Sequence, residues 1–177
     1  MRWPVRVTTA EGTDFAYLGF NLRDSLLQDK RVRLAVGYAI DQQAIVRYLR
    51  RGLATPAIGI VPPMSWAHDP TVFRFERDVE RAKALLDAAG YPDPDGDGPV
   101  PRLRLSLKTS TSAAYRLQAA VIQQNLAEAG IALELRSYEF ATLFADVIRG
   151  NVQLYTLQWV GVTDPDMLRR VFHSSQI

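Results

Sequence analysis

Residues 102–135 read RLRLSLKTSTSAAYRLQAAVIQQNLAEAGIALEL, and this stretch decides the fold class. Its first part alternates leucines at 103, 105 and 107 with polar residues, which is typical of a strand that is buried on one face. A long helix is predicted from about residue 111 to 129, and Gly130 is suited to cap its C-terminus. A second alternating run, with apolar residues at 131, 133 and 135, predicts another strand. Strand, helix and strand in this order favour a right-handed crossover between parallel strands.

Toward the N-terminus the chain continues to alternate between strand and helix signals. Residues 16–21 form a short apolar run that suits a strand. Asp29, Asp41 and Asp78 each stand where the N-cap of a helix is expected, ahead of apolar residues at helical spacing. Four prolines interrupt residues 55–75, which predicts a long loop, and long loops inside a compact domain are often functional.

Toward the C-terminus the pattern is the same. Residues 140–148 are amphipathic with helical spacing, and residues 152–159 form an apolar run that suits a strand. Asp164 or Asp166 is placed to start a last short helix. We therefore predict an α/β fold in which a mainly parallel sheet is flanked by helices.

Composition narrows the possible functions. The 177 residues and 19.8 kDa suit one domain, which we assign to residues 1–177. The net charge of +2 is too small to steer the chain toward nucleic acid. The absence of cysteine excludes a disulfide scaffold, a thiolate metal site and a cysteine nucleophile. No apolar run approaches the roughly 20 residues of a membrane helix, and residues 1–7 lack the apolar stretch of a secretory signal.

Motifs that could carry catalysis or bind a metal are weak. Residues 93–98 match the first half of a calcium loop, but the twelfth position is Arg104 instead of a bidentate glutamate, so a tight acidic turn is favoured. Neither His68 nor His173 has a neighbouring histidine or glutamate in the sequence at metal-ligand spacing. No nucleophile elbow and no glycine-rich phosphate loop occurs. We predict no catalytic residue, no metal site and no cofactor.

The strand end at Trp159 is the best candidate for a binding site. In open α/β sheets, ligands collect in the crevice at the carboxyl ends of the strands. Trp159 stands at such an end and is followed by residues 160–165. A large core residue remains an equally good interpretation of the tryptophan.

The order of several motifs resembles the family 5 extracellular solute-binding proteins, the peptide, dipeptide and nickel receptors of ABC importers. The resemblance runs from about residue 17 to 176. The matching segments are DKRVRLAVGYAID at 29–41, GLATPA at 52–57, AKALLDAAGY at 82–91, SYEF at 137–140, and WVG with DPD at 159–166.

This resemblance implies a periplasmic-binding-protein type II-like fold whose two lobes close on a ligand about a hinge. These segments would belong to the second lobe, so we expect an excised lobe of a longer receptor that lacks the first lobe and signal peptide. The parent receptor would be periplasmic or extracellular and associated with the membrane. It would deliver a solute, which we expect to be an oligopeptide or dipeptide, to an ABC permease. The residues that the resemblance places at the ligand are Trp159, Gly161, Val162, Thr163 and Asp164.

One departure from the family pattern concerns the ligand. Peptide-binding members carry an aspartate three residues after the tryptophan, where it pairs with the ligand's amino group, and this position is Val162 here. An opine, a sugar or a peptide held mainly through its backbone is therefore an alternative, and the sequence does not distinguish these from a metal complex. A ligand-sensing lobe of a cytoplasmic transcriptional regulator is the alternative to a transport receptor. We also expect self-association of the isolated lobe through an uncovered apolar wall.

Overall fold

The computed structural model describes residues 6, 8–96 and 98–174, in which four strands form one sheet. The strands are β1 (Phe15–Phe20), β2 (Leu103–Ser110), β3 (Ile131–Tyr138) and β4 (Leu154–Trp159). Their order across the sheet is β1-β4-β2-β3. β2 runs parallel to both β3 and β4, whereas β1 lies antiparallel to β4 at the edge. The mainly parallel sheet predicted from the sequence is confirmed.

The helices follow the order that the aspartates and glycines predict. They are α1 (Lys30–Ala39), α2 (Gln42–Ala44), α3 (Val79–Ala88), α4 (Ala113–Glu128), α5 (Phe140–Arg149) and α6 (Met167–Phe172), and a π-helical turn (Ile45–Leu49) continues α2. The side chains of Asp29, Asp41 and Asp78 accept hydrogen bonds from backbone N–H groups of the helices that follow them, so all three predicted N-caps are confirmed.

The main core lies on one face of the sheet, beneath α1, α3 and α4. The leucines at 103, 105 and 107 point to this face, as their alternation predicts, and pack with Leu86 of α3 and Leu126 of α4. Thr109 and Thr156 are buried here and pair through their hydroxyl groups at 2.7 Å, so their polar atoms are satisfied without water.

The opposite face of the sheet is covered in part by α5. Lys108, which alternates with the core leucines, forms an ion pair with Asp146 of α5 at 2.6 Å and lies 5.0 Å from the centre of the Tyr138 ring. Leu143 of α5 is fully buried. The sheet therefore has helices on both faces.

Within the described ranges, none of the helices is both long and apolar enough to cross a lipid bilayer. Residues 55–75 contain no helix and no strand, which confirms the predicted loop. The acidic stretch at 93–98 forms a turn in which Asp93 accepts hydrogen bonds from the Asp95 N–H and from Arg102, whereas Asp97 lies outside the described residues.

Candidate ligand-binding site

The segment after β4 folds back against the segment before β1. The antiparallel register pairs Phe15 with Trp159, which brings residues 13 and 14 next to residues 160–162. The N–H of Val162 donates to the carbonyl oxygen of Thr13 at 3.0 Å. This bond extends the β1–β4 pairing beyond the end of the strands and gives the loop at 160–164 a defined path.

A left-handed backbone at Gly161 makes this path possible. Its φ angle is +69°, a region that residues with a Cβ atom rarely adopt. A Cβ atom built at Gly161 would meet no atom within 4 Å, so backbone conformation and not space requires glycine here. Gly161 is exposed, two residues after Trp159.

A chain of hydrogen bonds ties this turn to the start of α4. The Tyr115 hydroxyl donates to Gln158 Oε1 at 2.7 Å, and Gln158 Nε2 donates to Asp14 Oδ2 at 2.9 Å. Asp14 Oδ1 in turn accepts from the Gly161 N–H at 3.1 Å. Our sequence reasoning missed Tyr115, Gln158 and Asp14, since no motif marks them and their contacts join residues far apart in the chain.

Aromatic side chains line the sheet face that Trp159 shares. Side chains alternate along a strand, so Trp159 and Tyr155 lie on the same face of β4, opposite Phe15 and Gly19 of β1. The Phe15 and Tyr17 rings stack with centroids 6.1 Å apart, and Tyr17 meets Tyr155 edge-on at 6.1 Å. Trp159 itself is partly buried. This face offers an aromatic wall that continues to the carboxyl edge of β4.

Burial also changes the ionisation of the two tyrosines. Two causes raise the pKa of Tyr17 to about 12: the larger is desolvation by burial, and the smaller is the electrostatic effect of the neighbouring Tyr155. Desolvation raises the pKa of Tyr155 as well. Both phenols therefore keep their proton to a higher pH than an exposed tyrosine does.

The five residues that the sequence placed at the ligand share one edge of the molecule, but their side chains differ in exposure. Gly161, Thr163 and Asp164 are exposed, and Trp159 is partly buried. Val162 is only 4% exposed, so its buried side chain fixes the loop to the rest of the protein. Asp164 Oδ1 accepts a hydrogen bond from the Asp166 N–H at 2.8 Å, which ties this carboxylate to the turn that begins α6.

Depressions also occur elsewhere on the described surface, apart from this loop. No group of three histidine or acidic side chains converges as metal ligands in the residues described above. A depression of about 510 Å³ lies over β2 and β3, on the sheet face opposite the main core, and includes Arg104, Glu134 and Arg136. A second depression, of about 420 Å³, lies between α2 and residues 73–77. Neither includes a residue of the 159–164 loop.

With this geometry established, the family of the chain can be determined by comparison. The family model described as bacterial extracellular solute-binding proteins, family 5 Middle, matches residues 4–177. The chain belongs to this family. The resemblance inferred from the sequence motifs is confirmed.

Individual relatives in the family agree with this assignment. The dipeptide-binding protein of Escherichia coli is 28% identical over 156 residues, which cover 88% of this chain and 29% of that protein. The oligopeptide-binding protein AppA of Bacillus subtilis is 30% identical over 182 residues, which cover 98% of this chain and 33% of AppA. This chain thus spans about a third of the length of these family 5 relatives.

Solved structures confirm the fold of this family 5 chain. The structure of AppA in complex with a nonapeptide matches with a TM-score of 0.85 at 29% identity, over 96% of this chain and 35% of AppA. NikZ of Campylobacter jejuni in complex with Ni(L-His) matches with a TM-score of 0.82 at 27% identity, over 94% of this chain and 34% of NikZ. The relatives named here are binding proteins.

Proposed function

We propose that this family 5 chain is a ligand-binding lobe of the solute receptor of an ABC importer, that it has no enzymatic activity, and that its ligands are peptides. The similarity to the nonapeptide complex of AppA, over nearly the whole of this chain, is the observation that carries the proposal. The names of the other relatives include dipeptide binding, which supports the same ligand class. No observation favours the regulator alternative.

The proposed ligand contacts lie at the carboxyl edge of β4. Trp159 forms an apolar or stacking wall, and Gly161 allows close approach to the backbone. Thr163 and Asp164 contribute exposed polar groups at the rim. Val162 supports the site by anchoring the loop, because it is buried and its N–H is bound to Thr13.

The proposed mechanism is hinge closure. This lobe makes one set of contacts with the ligand, and the other lobe of the receptor makes the second set. Contacts available only in the closed form bias the open–closed equilibrium, and the closed form docks on the permease.

The proposed location is periplasmic or extracellular, at the membrane. An isolated lobe exposes the wall that its partner covers, and light scattering would measure the self-association we expect.

The ligand class is tested by native mass spectrometry on the full-length receptor purified from its own host. A set of retained masses that fragment as peptides is expected. A single non-peptide mass would overturn the peptide assignment while leaving the receptor assignment intact. A receptor that carries no ligand and binds no added peptide would contradict both.

The site is tested with Trp159→Ala in the full-length receptor. Removal of an aromatic wall is expected to weaken peptide binding by about tenfold or more, in the range found for aromatic anchors at interfaces. Trp66→Ala is the matched control, since Trp66 is 86% exposed in the loop at 55–75 and distant in sequence from the site. Equal affinities of the two variants, with the fold retained, would refute the role of Trp159.

A further inference from the structure

β1 forms an open edge of the sheet. β4 lies on one side of this strand, and in the described part of the chain no strand lies on the other side. The Asn21 N–H donates to the Gln153 carbonyl oxygen at 2.9 Å, so the odd-numbered residues of β1 exchange hydrogen bonds with β4 in the same register. The N–H and C=O groups of Ala16, Leu18 and Phe20 therefore point away from the sheet.

These outward-facing groups form a row along the edge. Within residues 6, 8–96 and 98–174, no hydrogen bond outside the β4 ladder involves the backbone of residues 15–20. Unpaired backbone groups along an edge strand are a template for pairing with another strand. Proteins block such edges with charged side chains, proline or a bulge, and β1, whose sequence is FAYLGF, contains none of these.

β3, at the other edge of the sheet, carries the protection that β1 lacks. Glu134 and Arg136 place exposed charges on this strand. Gln123 Nε2 of α4 donates to the Leu133 carbonyl oxygen at 2.6 Å, so one backbone acceptor of β3 is already bound. The contrast between the two edges indicates that β1 is suited to pair with another strand.

We propose that β1 pairs antiparallel with β1 of a second copy of this chain, about a two-fold axis at Leu18. A register centred on Leu18 brings all three outward-facing residues of one copy opposite those of the other. It forms about six hydrogen bonds between the two strands, two for each pair of facing residues. The interface is isologous, as in most homodimers, because the same surface serves both copies.

The side chains of β1 fit this register. Ala16 of one copy lies opposite Phe20 of the other, so a small residue faces a large one on the core side of the sheet. On the other side, Tyr17 lies opposite Gly19 of the second copy, beside the Tyr155 ring that occupies the Cβ position of that glycine. No residue of β1 is charged, so the pairing brings no like charges together within the strand. This surface accounts for self-association without reference to any ligand.

The register is tested by cross-linking, because the chain contains no cysteine and a single introduced thiol reports on its own symmetry mate. Leu18→Cys places the two Cα atoms about 5.5 Å apart, within the range of a disulfide. Ala16→Cys is the matched control on the same edge. Position 16 is the more exposed of the two, but the register separates its two copies by about 13 Å along the strands, which is beyond the reach of a disulfide.

With oxidised glutathione as the oxidant, Leu18→Cys is expected to form a covalent dimer about tenfold faster than Ala16→Cys, or more. Equal rates, or faster linkage of Ala16→Cys, would overturn the register.

Sedimentation equilibrium of this chain without substitution tests the association itself, and a dimer is expected. Ala16→Pro is expected to shift the equilibrium toward monomer, because proline removes an outward-facing N–H and no bond to β4. Ala16→Ser keeps this N–H and a small side chain, and it should dimerise like the wild type.

A wild-type chain that stays monomeric at high concentration would overturn the proposal, and so would an Ala16→Pro variant that dimerises as tightly as Ala16→Ser. The cysteine pair still decides the register where the proline variant does not fold. All of these outcomes leave the proposed ligand binding of the lobe untouched, since none of them involves a ligand.

Discussion

Gly19 provides a sharp test of how the aromatic wall is built. It pairs with Tyr155 across β1 and β4, and the Tyr155 ring lies directly over it. A Cβ atom at position 19 would overlap Cζ of that ring and lie 2.6 Å from both of its ε carbons. Gly19→Ala therefore forces Tyr155 out of its position and away from its edge-on contact with Tyr17.

The magnitude follows from these contacts. Overpacking of a filled site costs about 1–3 kcal/mol, and loss of an aromatic pair costs about 0.5–1.5 kcal/mol. We expect Gly19→Ala to lower the free energy of unfolding by about 2–4 kcal/mol. Once Tyr155→Ala has removed the ring, the same change should cost nothing, or stabilise by a few tenths of a kcal/mol, because alanine loses less backbone entropy than glycine.

The assay is a double-mutant cycle of urea unfolding, followed by circular dichroism on the four proteins. Gly12→Ala serves as the control, since a Cβ atom at this exposed position would meet nothing within 4 Å. A coupling energy of about 2 kcal/mol or more between Gly19 and Tyr155 is expected. Additive costs, or a Gly19→Ala variant as stable as Gly12→Ala, would refute the proposed packing of Tyr155 over Gly19.

Two further predictions concern pH. Tyr17, whose pKa burial raises to about 12, should ionise near that pH in an ultraviolet titration, and Tyr155→Phe should lower its pKa. The unfolded chain loses the Tyr17 proton near pH 10, whereas the folded chain keeps it to about pH 12. The free energy of unfolding should therefore fall between these two pH values. A free energy of unfolding that does not change there would contradict the burial of Tyr17. The hydrogen bond from Lys108 holds the pKa of Asp146 below its usual range. The contribution of the Asp146 carboxylate to stability is therefore present above about pH 4 and is lost as the pH falls through the lowered pKa. Lys108→Met should raise the Asp146 pKa in a carboxyl NMR titration, and an unmoved pKa would show that the ion pair has no effect.

Interactions between residues close together in the sequence account for the helices and strands and for their order along the chain. Leucines that alternate at 103, 105 and 107 form a strand with one buried face because side chains of a strand point to opposite sides. An aspartate such as Asp29 or Asp78 begins a helix because its carboxylate binds the free N–H groups of the first turn. The motifs at 29–41 and 82–91, which resemble those of the family, overlap α1 and α3.

Tertiary structure alone decided how these elements meet at the site. An alternating strand has the same pattern whether its neighbour runs parallel or antiparallel, so the sequence did not predict that β1 would pair antiparallel with β4. That pairing carries Asp14 to Gly161, 147 positions later in the chain, and turns Val162 inward. Contacts of this range depend on the packing of the whole sheet, and no local pattern encodes them. The position of Trp159 could therefore be read from the sequence, whereas the carboxylate beside it could not.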